Sequence, residues 1–308
     1  MFALLTLAFI TGFVIPLQTA ANGNLRRQLR SPFLASCINC SIGAIILTVL
    51  IVVTGESFYR PLDYLLNLDW WLYLSGPLGM IILIVAILLS ANIGMLGTSL
   101  STMTGMMVSG LVFDACGLFD LPVHQFGVGR IFAMALMLIG LAIALNLPRH
   151  LRKHGSKISL ATVGWFLVGC VSGSLLTTQG AINAIFRVKL DSVLLCALIS
   201  MVVTAVMALL VAICCGQSPL RILKIKVQGR YWIFIGGFMG ATNIVAAAIF
   251  VPLIGAGATM TLGVAGQLCC AMFMDHIGMW EVEVRRVKLT QILGLVLIIG
   301  AVALTRLM

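Results

Sequence analysis

Gln18 and Asn22 stand four residues apart in an apolar stretch, and Gln179 and Asn183 repeat that spacing in a second one. On an α-helix this interval puts both amides on one face. A carboxamide donates and accepts hydrogen bonds but does not titrate, so inside a membrane it can hold a neighbouring helix or a polar solute. Further polar positions gather at Thr98, Ser101 and Thr102, and at Thr259 and Gln267. Gln18, Asn22, Thr98, Thr102, Gln179, Asn183, Thr259 and Gln267 form the predicted substrate-contacting set. Helix packing competes for every one of them, because small and polar residues also let helices approach and hydrogen-bond. Met103, Met106 and Met107 would suit a cavity for a small amphipathic molecule, since a thioether chain adapts to varied shapes.

Acid–base chemistry has little to work with. The chain holds nine acidic residues, and none falls in the middle of an apolar run. Asp114 and Asp275 close two such runs and are expected to cap a helix or pair with a basic neighbour, which makes them structural or coupling candidates. A proton-driven transporter needs a titrating group near the midplane, so transport down the substrate's own gradient is expected. No HExxH, GxSxG or P-loop is present, and no histidine lies within an apolar run, so neither an enzyme nor a cofactor is expected. Cys37 and Cys40 form a CxxC without the second pair or nearby histidine that a metal site needs.

The elements that must position these residues are membrane helices. Of 308 residues, 61% are hydrophobic and 9% charged; the mean hydropathy is +1.15. Soluble domains carry about 25% charge. Ten apolar runs can be counted, at 2–21, 33–54, 71–91, 94–113, 129–147, 161–183, 193–215, 232–251, 254–274 and 289–307, each close to the length that crosses a hydrocarbon core. The first has no basic residues ahead of it and is read as a retained helix rather than a signal peptide. Trp70, Trp71, Trp165 and Trp232 open runs and suit interfacial anchors.

Shifting the chain by 161 residues superposes Gly12 on Gly173, Gln18 on Gln179, Asn22 on Asn183, Trp71 on Trp232, Gly79 on Gly240, Gly105 on Gly266 and Asp114 on Asp275 without a gap. Chance does not readily align such sparse residue types in one register, so the chain reads as a duplicated five-helix unit. Residues 1–147 form the first repeat, 148–160 a basic linker and 161–308 the second repeat. Five is odd, so the halves are expected to cross the membrane in opposite senses. Segments 26–30, 149–157, 221–230 and 285–288 hold 14 of the 19 basic residues, and all four fall on one side if the N-terminus lies outside. The expected fold is all-α: ten transmembrane helices as two inverted five-helix repeats. The net charge of +10 is thereby assigned to membrane topology, and nucleic acid is not an expected partner.

These features resemble the drug/metabolite transporter superfamily, and within it the YdcZ-type inner-membrane exporters, whose members are often single five-helix chains. The likeness covers each half once. It rests on the Q-x-x-x-N pairs, on Trp71–Gly76–Gly79 and Trp232–Gly237–Gly240, and on a Q-x-x-G-G-x-x-x-D pattern. The last is kept at Gln267 and Asp275 but carries Cys270 and Ala271 for its glycines, and in the first half has Met106, Ser109, Gly110 and Asp114. Some superfamily relatives carry a membrane glutamate in the first helix for proton coupling, where this chain has Gln18 and Gln179. The resemblance implies an exporter of a small amphipathic metabolite or drug-like molecule, working by alternating access around a central cavity. It also implies a multi-pass protein of the bacterial inner membrane; the charge count, not the resemblance, places both termini in the periplasm. The expected partners are a small-molecule substrate and the lipid bilayer, for a monomer or a homodimer. A flippase for a lipid-linked intermediate and a non-transporting membrane scaffold are the alternatives.

Overall fold

The computed structural model describes residues 2–116, 160–225, 229–254 and 256–307, with the single positions 136, 139, 140, 143 and 227. Of the predicted span 129–147 only Leu136, Ile139, Gly140 and Ile143 are described, and the predicted linker 148–160 lies outside the described residues except for its last position. No strand occurs among the described residues. The helices are α1 (Phe2–Thr11), α2 (Val14–Leu29), α3 (Pro32–Thr54), α4 (Leu62–Leu66), α5 (Ser75–Cys116), α6 (Leu160–Leu190), α7 (Val193–Cys214), α8 (Ile235–Ile254), α9 (Ala256–Ile277) and α10 (Leu289–Leu307).

Five stretches among the described residues are long and apolar enough to cross a bilayer: Phe2–Leu29, Pro32–Thr54, Trp70–Gly110, Leu160–Leu190 and Val193–Cys214. The third has 41 residues, about twice what a hydrocarbon core of about 30 Å requires. It is interrupted at Gly94, whose φ of 78° and ψ of 175° are non-helical. A residue with a Cβ resists that φ, which is why the break falls on a glycine. The predicted boundary between the runs 71–91 and 94–113 therefore falls at the break at Gly94, which divides α5 into two helical parts.

Corresponding turns in the two halves share one construction. Arg30 (φ 51°) and Asp191 (φ 48°) end α2 and α6 in the left-handed region. Ser31 and Ser192 follow as N-caps, accepting from Leu34 N–H and Leu195 N–H at 3.0 Å each. A serine oxygen satisfies one of the orphan donors at a helix start, so both hairpins close the same way. The first helix of the second half, α6, is continuous through Gly173, whereas its counterpart breaks between α1 and α2 at Gly12–Phe13.

The halves exchange partners. The first half's α1 packs on α9, and α2 packs on α8; the second half's α6 packs on both parts of α5, and α3 packs on α7. A Cβ on Gly12 would overlap the Gly263 carbonyl and crowd Gln267 N, and one on Gly173 would overlap the Thr102 carbonyl and crowd Met106 N. Likewise Gly266 abuts the Phe9 carbonyl and Gly105 the Cys170 carbonyl. Each contact maps onto the other when the halves are swapped by 161 residues. The glycines are small because backbone meets backbone there.

Chain contacts sort the loops to two ends. At one end Ser31 hydrogen-bonds Gln217, Arg27 and Arg230 reach Glu281, and Arg285 donates to the Asn92 carbonyl. At the other Arg60 donates to the Leu190 carbonyl, Tyr64 to the Lys189 carbonyl, and Ser192 to Glu56. The first end carries Arg26, Arg27, Arg30, Arg221, Lys224, Arg230, Arg285, Arg286 and Lys288 beside Glu281 and Glu283; the second carries Glu56, Asp63, Asp69 and Asp191 beside Arg60, Arg187 and Lys189.

Candidate substrate path

The Q-x-x-x-N faces meet the glycine-rich starts of α8 and α5. The Gln18 amide lies against Gly240, and the Gln179 amide lies against Gly79 and donates to the Ser75 carbonyl at 2.7 Å. Both glutamines are half-buried. In this conformation the Gln179 amide is thus committed to a helix–helix contact. Asn183 Oδ1 accepts from Ser200 Oγ at 3.3 Å, and Ser200 Oγ meets Ser75 Oγ at 2.6 Å. The matching cluster in the other half is Asn22, Asn39 and Gly236. A Cβ on Gly236 would stand 2.6 Å from both amide oxygens. Both asparagines are buried, and Asn22 Nδ2, Asn22 Oδ1 and Asn39 Oδ1 lack hydrogen-bond partners among the described residues.

The hydroxyl positions form a second group. Thr98 is buried and returns its hydroxyl to the Gly94 carbonyl at 2.7 Å. Thr102 presents its carbonyl to Gly173, and Thr259 is half-buried. Gln267 Nε2 lies 3.5 Å from Ser99 Oγ, across the gap between α9 and the second part of α5. Seven of the eight predicted residues therefore fall into three groups: Gln18 with Asn22, Gln179 with Asn183, and Thr98 and Thr102 on the helix whose Ser99 meets Gln267; Thr259 lies apart on α9. The partners Ser75, Asn39 and Ser200 were missed. A period-161 match of polar positions was the available signal for two of them, since Asn39 aligns with Ser200.

Asp275 is buried, and its carboxylate accepts from Met95 N–H at 2.9 Å and Leu96 N–H at 2.8 Å. These are the first amides after the break at Gly94, so a residue of the second half caps a helix of the first. A carboxylate suits that place because the orphan N–H groups and helix dipole attract negative charge. The side chain of Asp114 lies outside the described residues.

Residues 278–288, joining α9 to α10, form a strap across the basic end. Gly278 (φ 71°), Trp280 (φ 55°) and Glu281 (φ 61°) are all left-handed. The indole of Trp280 stacks on Trp232 with centroids 5.2 Å apart and an interplanar angle of 12°. Asn24 Nδ2 donates to the Trp280 carbonyl at 2.6 Å, and Arg27 donates to the Glu281 carbonyl at 3.0 Å. Beneath the strap is a cavity of about 160 Å³ reached by Asn24, Arg26, Arg27, Ser90, Glu281 and Glu283. None of the eight predicted contact residues lines it.

A helical chain with spans of this length, built from a duplicated unit whose halves interlock, is a multi-pass membrane protein. Comparison with known families narrows this. The family described as "Putative inner membrane exporter, YdcZ" matches residues 3–143 and again residues 164–304. The chain belongs to this family of the drug/metabolite transporter superfamily, in a duplicated form. The two matches begin 161 residues apart, in the register of the internal repeat. A crystal structure of another protein shares the fold with a TM-score of 0.63 at 13% identity, over 98% of this chain and 97% of that one. No curated protein matches significantly.

Proposed function

We propose that the chain is a ten-span exporter of a small amphipathic molecule whose two inverted halves rock about a path between them. The observation that carries this reading is the exchange of contacts: Gly12 on Gly263 and Gln267, Gly173 on Thr102 and Met106. Two interfaces of the same construction, each made by one half's first helix on the other half's fourth, can alternate in opening while the rest of each half moves as a body. Inverted repeats commonly serve transport of this kind. The basic end faces the cytoplasm, in line with the positive-inside rule, and both termini face the periplasm. Substrate passes along α2, α6, α9 and the second part of α5, where Gln18, Gln179, Thr98, Thr102, Thr259 and Gln267 supply polar contacts; Asn22 and Asn183 steady the helices beside them. Transport rather than catalysis suits a set of amides and hydroxyls with no nucleophile–base pair among them.

The test compares compounds released by cells that express the wild-type chain, Gln18→Leu or Gln179→Leu at equal membrane levels. A compound exported by wild type and retained by both variants supports the reading. Wild-type release in both variants, with that release dependent on the chain, would remove the glutamines from the path.

A further inference from the structure

The cavity beneath the strap contains a charge with nothing to hold. Arg26 and Arg27 reach it from α2, and Ser90 from the end of α5's first part. Arg27 is engaged, with Glu281 at 3.5 Å and Asn24 beside it. Glu281 is shared, since its other oxygen lies 3.0 Å from Arg230. Glu283 is paired with Arg285 at 2.8 Å. Arg26 is half-buried and has no ion-pair or hydrogen-bond partner among the described residues. The cavity therefore offers one guanidinium without a partner among the described residues and a second whose ion pair is with a movable carboxylate; the Asn24 amide and the Ser90 hydroxyl at its edge already donate to the Ala20, Trp280 and Ile87 carbonyls.

We propose that this cavity binds the anionic group of a small solute, and that Glu281 is a tethered competitor that occupies Arg27 until the solute arrives. The proposal rests on the exporter reading and adds to it the substrate's charge and its point of entry. A carboxylate or phosphate has acceptor geometry that matches a guanidinium fork. On entering, it takes Arg26 and displaces the Glu281 carboxylate from Arg27. The Glu281 carboxylate then keeps only Arg230, which lies on its own half of the chain. The ion pair joining the halves at this end is lost, and the left-handed backbone at Trp280 and Glu281 loses one of the contacts that holds it. Binding thereby loosens the strap, which the hydrogen bonds of Asn24 and Arg27 to its carbonyls and the Trp280–Trp232 stack still hold. A solute without negative charge cannot make the exchange.

The experiment uses the purified full chain in neutral detergent, with butyrate, butylamine and 1-butanol as probes of equal carbon length, read by thermal midpoint and calorimetry. Butyrate is expected to bind wild type, and the other two are not. Glu281→Gln should bind butyrate about five-fold tighter and Arg26→Gln about five-fold weaker, the scale of one exposed charge pair; Arg26→Lys should keep most of the affinity. Glu283→Gln makes the same change in net charge but frees no cavity arginine, so it should tighten binding less than Glu281→Gln. The proposal is overturned if Glu281→Gln binds no tighter than Glu283→Gln, if Arg26→Gln binds like wild type, or if butylamine binds as well as butyrate. A lipid headgroup could supply the same anion. Repeating the titration in nanodiscs with and without phosphatidylglycerol separates the sources: unchanged butyrate affinity supports a free solute, and loss of it to the anionic lipid refutes that assignment. Because binding is read without transport, absent binding in a chain that exports sinks this inference alone. Binding in a chain that exports nothing sinks the exporter reading alone.

Discussion

The two polar clusters at the ends of the Q-x-x-x-N helices occupy the same place in each half and solve the same problem differently. Around Asn183 the hydroxyls of Ser200 and Ser75 form a continuous chain of hydrogen bonds. Around Asn22 the corresponding positions are Asn39 and Gly236, and three buried amide atoms have no partner among the described residues. Buried polar atoms without partners cost about 1–3 kcal/mol each. One interface is thus held by satisfied groups, while its mate is tight only because glycine lets the amides close onto the backbone. Separating α2 and α3 from α8 would let water reach those atoms, whereas separating α6 from α5 breaks bonds already made. The difference ranks the two interfaces by how readily each opens.

The largest expected effect tests whether the halves interlock as equals. Gly105→Val and Gly266→Val place a side chain into the Cys170 and Phe9 carbonyls respectively, and each should cost about 3 kcal/mol or more. Monodisperse yield and thermal midpoint in detergent measure it. Tolerance of one substitution and not the other would show that the two contacts are not equivalent. Next, Gly236→Ser alone should cost about 2 kcal/mol by crowding Asn22 and Asn39. Adding Asn39→Ser rebuilds the Ser200–Ser75 arrangement and should restore more than half of that loss, a coupling of about 1 kcal/mol. Strict additivity in this cycle would break the comparison. Third, Ser200→Ala removes a satisfied hydroxyl and should lower stability by about 1 kcal/mol. Asn39→Ser removes an orphan carbonyl and should change stability by less than about half as much. Equal losses would mean that both clusters are fully bonded. The smallest effect belongs to the strap: Arg230→Gln breaks an exposed pair and should shift stability by under about 1 kcal/mol, less in high salt. A larger loss, unchanged by salt, would mark Arg230 as buried support.

Much of the fold was legible because its signals are local or periodic. Apolar length marks a span wherever it occurs, and a duplicated gene keeps sparse Gly, Trp and Asp positions in register. The family match over 3–143 and 164–304 has that same offset. The candidate site was legible only as a set of residues. Nothing in a run of sequence says whether Gln179 points to a solute or to a neighbouring carbonyl, because both environments reward the same amide in hydrocarbon. Asp275 illustrates the limit. Its place at a helix end was readable, with capping or pairing with a basic neighbour left open; the structure shows a cap on Met95 and Leu96, in the other half.

By itself, then, the sequence determined the all-helical membrane class, the repeat and its register, and the charge difference between the two ends, all of which follow from composition and spacing along the chain. The tertiary structure decided which helices meet. Gly12 finds Gly263, Asp275 finds Met95 and Glu281 finds Arg27 through contacts whose partners lie far apart in sequence. Such pairings depend on which surfaces fit when all the helices pack at once, so no local pattern encodes them.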